Sequence, residues 1–297
     1  MNRYRGWRYL ARGLAVSGCL VLLTIPGGST AGRRGQVDDE SAFLAKVGQR
    51  IASYPDYKSW RAAVVSRQTE MDKHWRPQSV TVVTKTVRLA DGVYEEEISQ
   101  AFETKKGKTK DVTAELREEA REDAEKARRR RAETNRTEGG GRRTLSFAVK
   151  EILPFSEAQR ERYDFAFLAG GLPERPGAVV IQARLKEAFR IKELDTPSEG
   201  DEEEAARGRE GERRRPRINW EGTFVIDPVT HDLLRLEARP AGKVRFVKRM
   251  ELAVDFIVLE GGQLVPARIK TAIEAGFFLK HVRMEAEEEY SDYKILE

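Results

Sequence analysis

The sequence predicts a mainly β (α+β) fold, a strongly curved antiparallel sheet of about ten or eleven strands with one N-terminal helix. Three observations carry that expectation. Apolar and polar residues alternate with period two through most of the chain, Gly-, Pro- and Asp-bearing turns separate the alternating runs, and helical patterns are confined to Ser41–Ser53, the charged stretch Asp111–Thr134 and a short Ser156–Arg162. The alternation is cleanest from Trp220 to Tyr293. It places Trp220, Phe224 and Ile226 on one face, and the pattern returns with Met250, Leu252, Val254, Phe256 and Val258. It returns again with Val282, Met284, Ala286 and Tyr290, while His281, Arg283, Glu285, Glu287 and Glu289 take the opposite face. One side is apolar and the other wet, so this sheet covers something.

The chain has 297 residues, enough for one large β domain and a sizeable core. Its N-terminus reads as an export signal. Arg3, Arg5, Arg8 and Arg12 form a basic region, Leu14 to Ile25 an apolar one, and Ser29-Thr30-Ala31 supplies small residues for cleavage, so residues 1–31 are expected to leave. Their removal takes four arginines and no acids, which lowers the formal charge from +5 to +1. No global basic field then remains to attract nucleic acid. Two other readings of this segment are weaker. Val16-Ser17-Gly18-Cys19 resembles a lipobox, but the apolar run continues through Leu20–Leu23; an uncleaved anchor would need roughly 20 apolar residues. Cys19 is the one cysteine, so a cleaved chain holds neither a disulfide nor a cysteine metal site.

Ser41–Ser53 is expected to be helical, with Phe43, Leu44, Val47 and Ile51 at helical spacing, Ser41 as the cap and Tyr54-Pro55 as the stop. Its apolar face belongs on the sheet, either as an ordinary core element or as a movable lid. Strands follow at Trp60, Ala62 and Val64, at Val80, Val82, Thr84 and Thr86, and, after an Asp91-Gly92 hairpin, from Val93 to Phe102. Asp111–Thr134 carries acids first and bases last, with Glu122–Lys126 and Glu125–Arg129 four residues apart, which suits a solvated helical arm leading into Gly139-Gly140-Gly141. The strand pattern resumes at Leu145, Phe147 and Val149. A short helix at Ser156–Arg162 precedes strands at Tyr163–Leu168 and Val179–Ala188. Asp195–Arg217 offers almost nothing to bury and reads as a disordered loop. The charged insertions are therefore set at 111–141 and 195–217 within a single domain over 32–297.

Little in the chain points to catalysis. His74, His231 and His281 have no metal-ligand spacing, and neither a Gly-x-Ser-x-Gly elbow nor a phosphate-binding glycine loop is present. No metal and no cofactor is expected. Glu221, Asp227 and Asp255 lie on strand faces where a cleft would be needed to make them acid–base groups.

Trp220-Glu221-Gly222-Thr223-Phe224-Val225-Ile226-Asp227-Pro228-Val229-Thr230, the following Leu234-Arg235-Leu236 strand and the closing Tyr290-Ser291-Asp292-Tyr293 resemble the outer-membrane lipoprotein-sorting (LolA-like) superfamily. That resemblance implies an incomplete antiparallel β-barrel with helices over its opening, whose concave face shelters lipid-modified tails in the periplasm. The two charged insertions depart from the compact carriers. The expectation is an exported, periplasmic, monomeric, non-catalytic protein that binds a lipid or a lipoprotein acyl chain. Its wall would be Trp220, Phe224, Ile226, Met250, Leu252, Val254, Phe256, Val282 and Met284, with Phe43, Leu44, Val47 and Ile51 as lid. The competing readings are an envelope interaction, structural or stress-sensing protein with a packed barrel and charged partner-binding arms, and an envelope hydrolase with a carboxylate site.

Overall fold

Alternation does produce the sheet. The computed structural model describes residues 39–55, 59–90, 93–137, 153–168, 174–190, 193–194, 219–244, 246–277 and 280–296. Among them thirteen strands form one sheet: β1 (Ser59–Met71), β2 (Pro77–Ala90), β3 (Val93–Lys105), β4 (Lys108–Asp111), β5 (Tyr163–Leu168), β6 (Val179–Leu185), β7 (Glu193–Leu194), β8 (Trp220–Ile226), β9 (Leu233–Pro240), β10 (Lys243–Val244), β11 (Val247–Val258), β12 (Leu264–Phe277) and β13 (Lys280–Leu296). The main path runs β4-β3-β2-β1-β13-β12-β11-β9-β8-β6-β5 with antiparallel neighbours, and only the short β7–β10 pair is parallel. Among the described residues β4 and β5 end the path without pairing with each other, so the curved sheet is an open half-barrel.

Among the described residues three α-helices accompany it: α1 (Glu40–Ser53), α2 (Thr113–Thr137) and α3 (Glu157–Arg160), with a 3-10 turn at Glu187–Phe189. α1 starts one residue before the expected boundary. Asp39, not Ser41, caps it, its carboxylate accepting the Ala42 N–H at 2.9 Å. The β6 strand stops at Leu185, where the 3-10 turn begins, rather than continuing to Ala188. None of these helices is long and apolar enough to cross a membrane.

Register decides which residues face inward. Directly opposite residues share a face, and the pairs Val64↔Tyr290, Ile269↔Glu288, Val254↔Ile269, Leu236↔Val254, Phe224↔Leu236 and Ile181↔Phe224 carry one concave face across the sheet. On β2 that face holds Ser79, Thr81, Val83, Lys85, Val87 and Leu89. The alternating set Val80, Val82, Thr84 and Thr86 is on the other side; Val82 is exposed, while Lys85 and Val87 are buried. Two of the register shifts in the sheet reshape this part of the face. Opposite Ala62, β13 takes an extra residue with Asp292 at φ 52°, and this brings Tyr290 and Tyr293, three apart in sequence, onto one face, where their rings stack at 6.2 Å. Opposite Thr84–Lys85, β3 takes an extra residue at Ser99.

The export signal with Cys19, the Asp91-Gly92 turn, the Leu145–Val149 strand, the glycine linker and the Asp195–Arg217 loop lie outside the described residues.

Candidate ligand site on the concave face

The concave face divides into two halves with different fillings. Over β5, β6, β8, β9, β11 and β12 lies α1, whose Phe43, Leu44, Val47 and Ile51 are all buried in one cluster with Leu153 and Phe155. Trp220, Phe224, Ile226, Met250, Leu252, Val254 and Phe256 belong to that same cluster. Phe155 meets Phe224 edge-on at 4.9 Å, and Phe43 meets Phe167 at 5.9 Å. Gly48 lets α1 lie directly on the chain, since a Cβ there would come within 2.4 Å of the Phe155 carbonyl oxygen. Of the expected wall, seven of nine residues are therefore core positions under α1.

The Ile226-Asp227-Pro228-Val229-Thr230 motif holds α1 in place. Asp227 accepts the N–H groups of Val229 and Thr230, both at 2.8 Å, and so forms a tight turn after β8. That turn presents Asp232, which accepts from Arg50 Nε at 2.6 Å and from the Tyr54 hydroxyl at 2.8 Å. Burial alone would raise the Asp232 pKa, but the hydrogen bonds from Arg50, Thr230 and Tyr54 and the Arg50 charge hold it below the usual aspartate range. Glu221 is bound by Arg190 at 2.7 Å and Arg239 at 3.2 Å, and Asp255 by Arg268 at 2.9 Å. All three carboxylates that the sequence marked as acid–base candidates thus have structural partners.

The other half, over β1, β2, β3 and β13, is covered by α2. Asp111–Thr134 is therefore not a solvated arm: Val112, Leu116 and Ala120 are buried against Ile98 and Ala101 of β3. Thr113 locks the first turn, its hydroxyl accepting the Ala101 N–H at 2.8 Å while its own N–H goes to Asp111. At the Ser99 bulge Arg117 binds two successive β3 carbonyls, Nε to Ile98 O at 2.6 Å and Nη2 to Ser99 O at 2.9 Å. Farther along, Arg128 reaches Glu95, and the outward face carries the expected Glu122–Lys126 and Glu125–Arg129 pairs.

Between α2 and the sheet lies a cavity of about 310 Å³. Its walls are Val83, Ile98, Leu116, Ala120, Ala124, Met284 and Ala286, and Ser66, Gln68, Glu70, Thr81, Tyr94 and Asp123 also reach it. Its floor is ionic. Lys85, 8% exposed, donates to Glu96 at 2.7 Å and to Glu288 at 3.1 Å, and the Tyr290 hydroxyl donates to Glu288 at 2.7 Å. Burial works to lower the Lys85 pKa, yet the charges of Glu288 and Glu96 and their hydrogen bonds hold it above the ordinary lysine value. Burial, reinforced by these carboxylates, raises the Tyr94 and Tyr290 hydroxyls well above the usual tyrosine range. Of the expected wall only Met284 lines this cavity; Val282 is half-buried and pairs with Ala275 on β12. A larger hollow of about 770 Å³ beside the start of α2 is an open surface groove edged by Lys110, Asp111, Glu115 and Arg117.

No family model matches the chain, and no curated protein matches it. Among solved structures it is similar to a DUF1329 family protein from Desulfovibrio piger, 8% identical over 86% of this chain and 92% of that one, with a TM-score of 0.31. It is also similar to MucB in complex with MucA(peri), 9% identical over 87% of this chain and 100% of that one, with a TM-score of 0.20. The Pseudomonas aeruginosa MucA/MucB complex gives 12% identity over 86% and 99%, with a TM-score of 0.15. Overlaps this low carry no argument about what the present chain does.

Lys85, Glu96 and Glu288 went unnoticed in the sequence because each sits in a run of charged or polar residues. The signal was available on β2, where Val83, Val87 and Leu89 share the parity of Lys85 and mark it as inward.

Proposed function

We propose that this chain is an exported, non-catalytic envelope protein that binds an acyl chain or similar lipid on the concave face of its half-barrel, in the half covered by α2. One observation carries the reading: a cavity of about 310 Å³ with apolar walls, on the same sheet face that α1 fills elsewhere. Ligand pockets run from about 300 to 1,000 Å³, so the space suits one short chain or the end of a longer one. Non-catalysis is supported by the three carboxylates weighed as acid–base groups: Glu221 and Asp255 are held by arginines, and Asp227 is engaged in its own turn.

The test is titration of the purified protein with the neutral apolar fluorophore N-phenyl-1-naphthylamine, alongside organic-solvent extraction and mass spectrometry of whatever co-purifies. Saturable fluorescence that disappears in Ala286→Trp, with the fold intact by circular dichroism, is the expected result. Absence of both uptake and extractable lipid overturns the reading.

A further inference from the structure

The polar groups of the cavity carry information about the head group of its occupant, and this inference rests on the acyl-binding reading above. Lys85 is nine-tenths buried, and its ammonium has three N–H donors. Glu96 and Glu288 take two of them, and among the described residues no hydrogen bond takes the third. Lys85 lines the cavity, where an acceptor on an occupant would meet that third donor. On the wall formed by α2, Asp123 Oδ1 is buried without a hydrogen-bond partner, its nearest cation, Lys126, being 3.8 Å away. A buried polar atom left unmatched is costly, and the site contains one donor and one acceptor in that condition, on opposite sides of an apolar space.

The charge balance narrows the choice. One base, Lys85, faces four acids, Glu70, Glu96, Glu288 and Asp123, around the same cavity. A carboxylate or phosphate reaching Lys85 would enter a net negative field. An ammonium would satisfy Asp123 and is drawn by that field, but it has no acceptor to offer Lys85 and sets a like charge beside it. We propose that the cavity takes an acyl chain bearing an uncharged polar head, a hydroxyl or amide group that accepts from Lys85 and donates to Asp123.

Calorimetric titration with three ligands of one chain length, each below its micellar concentration, tests this: 1-dodecanoylglycerol, dodecanoate and dodecylammonium. The glycerol ester is expected to bind at least roughly tenfold more tightly than either ion, the equivalent of about 1.4 kcal/mol. Asp123→Asn, which loses no hydrogen bond at Oδ1 and only a 3.8 Å ion pair with Lys126, is expected to fold normally and to narrow the gap between the ester and dodecanoate. Dodecanoate or dodecylammonium binding as tightly as the ester, or a gap unchanged in Asp123→Asn, overturns the head-group inference while leaving acyl binding standing. Failure of all three ligands overturns both.

Discussion

The two halves of the concave face are built from the same alternation and covered by the same kind of element, yet one is solid and the other hollow. The covering side chains account for the difference. α1 lowers Phe43, Leu44, Val47 and Ile51 onto the sheet, and Leu153 and Phe155 fill what remains. α2 lowers Leu116, Ala120 and Ala124, with the polar Asp123 among them, and meets strands that carry Lys85, Glu96 and Glu288 in place of aliphatic residues. Close packing on one side and space on the other follow from side-chain volume at a few helical positions. A helix over a half-barrel is thus a plug or a roof according to what its inward stripe contains.

The contrast can be broken most forcefully in the solid half. Phe224→Ala removes a ring wedged against Phe155 and is expected to cost about 3–5 kcal/mol in urea unfolding. A cost under about 1 kcal/mol would mean that the plug is loosely seated. Next, Lys85→Met strands two buried carboxylates, and its expected cost is also about 3–5 kcal/mol. Combining it with Glu96→Gln and Glu288→Gln should recover most of that loss; an absence of recovery would show that Lys85 acts through packing rather than charge.

Insertion distinguishes the halves directly. Ala183 and Ala286 both face inward from strand interiors, the first under the plug and the second in the cavity. Ala183→Leu should destabilise by about 1–3 kcal/mol through overpacking, whereas Ala286→Leu should change stability by less than about 1 kcal/mol. Equal costs would mean that the cavity closes in solution.

The smallest effect concerns the latch of α1. The Asp232 carboxyl is depressed below its unfolded value, so the stability it lends is present above about pH 4 and is lost as pH falls through the folded pKa. Asp232→Asn should therefore lower the urea midpoint at pH 7, by about 1 kcal/mol in stability, and the difference from wild type should shrink in progressively more acidic buffer. A difference that stays constant down to acid pH would place the latch elsewhere.

The apolar half was legible in the sequence for a physical reason. Phe43, Leu44, Val47 and Ile51 repeat at helical spacing, and the runs at Trp220–Ile226 and Met250–Phe256 carry apolar residues at every second position, so much of the burial could be read residue by residue. What pattern alone does not supply is the partner: those residues were expected to form a ligand wall under a lid, and they share one buried cluster with α1. The hollow half hid itself in two ways. Its floor uses charged residues on the inward face, where alternation looks for apolar ones, and its register depends on bulges at Ser99 and Asp292 that have no counterpart in a strict period of two. The Val112, Leu116, Ala120 and Ala124 stripe was visible, but its narrowness made α2 look solvated until β3 supplied a surface for it.

The sheet order has a consequence for assembly. β1 and β13 are adjacent, and Lys85 meets a carboxylate 203 residues later in the chain. In a polypeptide made N-terminus first, β1, β2, β3 and α2 emerge long before the strand that completes them. Until β13 arrives, the edge of β1 is unpaired and Lys85 has only Glu96 for a counter-ion, and long-range pairing of this kind is slow and exposed to misassembly. β13 is the seam that joins both halves, so a chain shortened by that strand keeps the residues of the plug but loses the floor of the cavity.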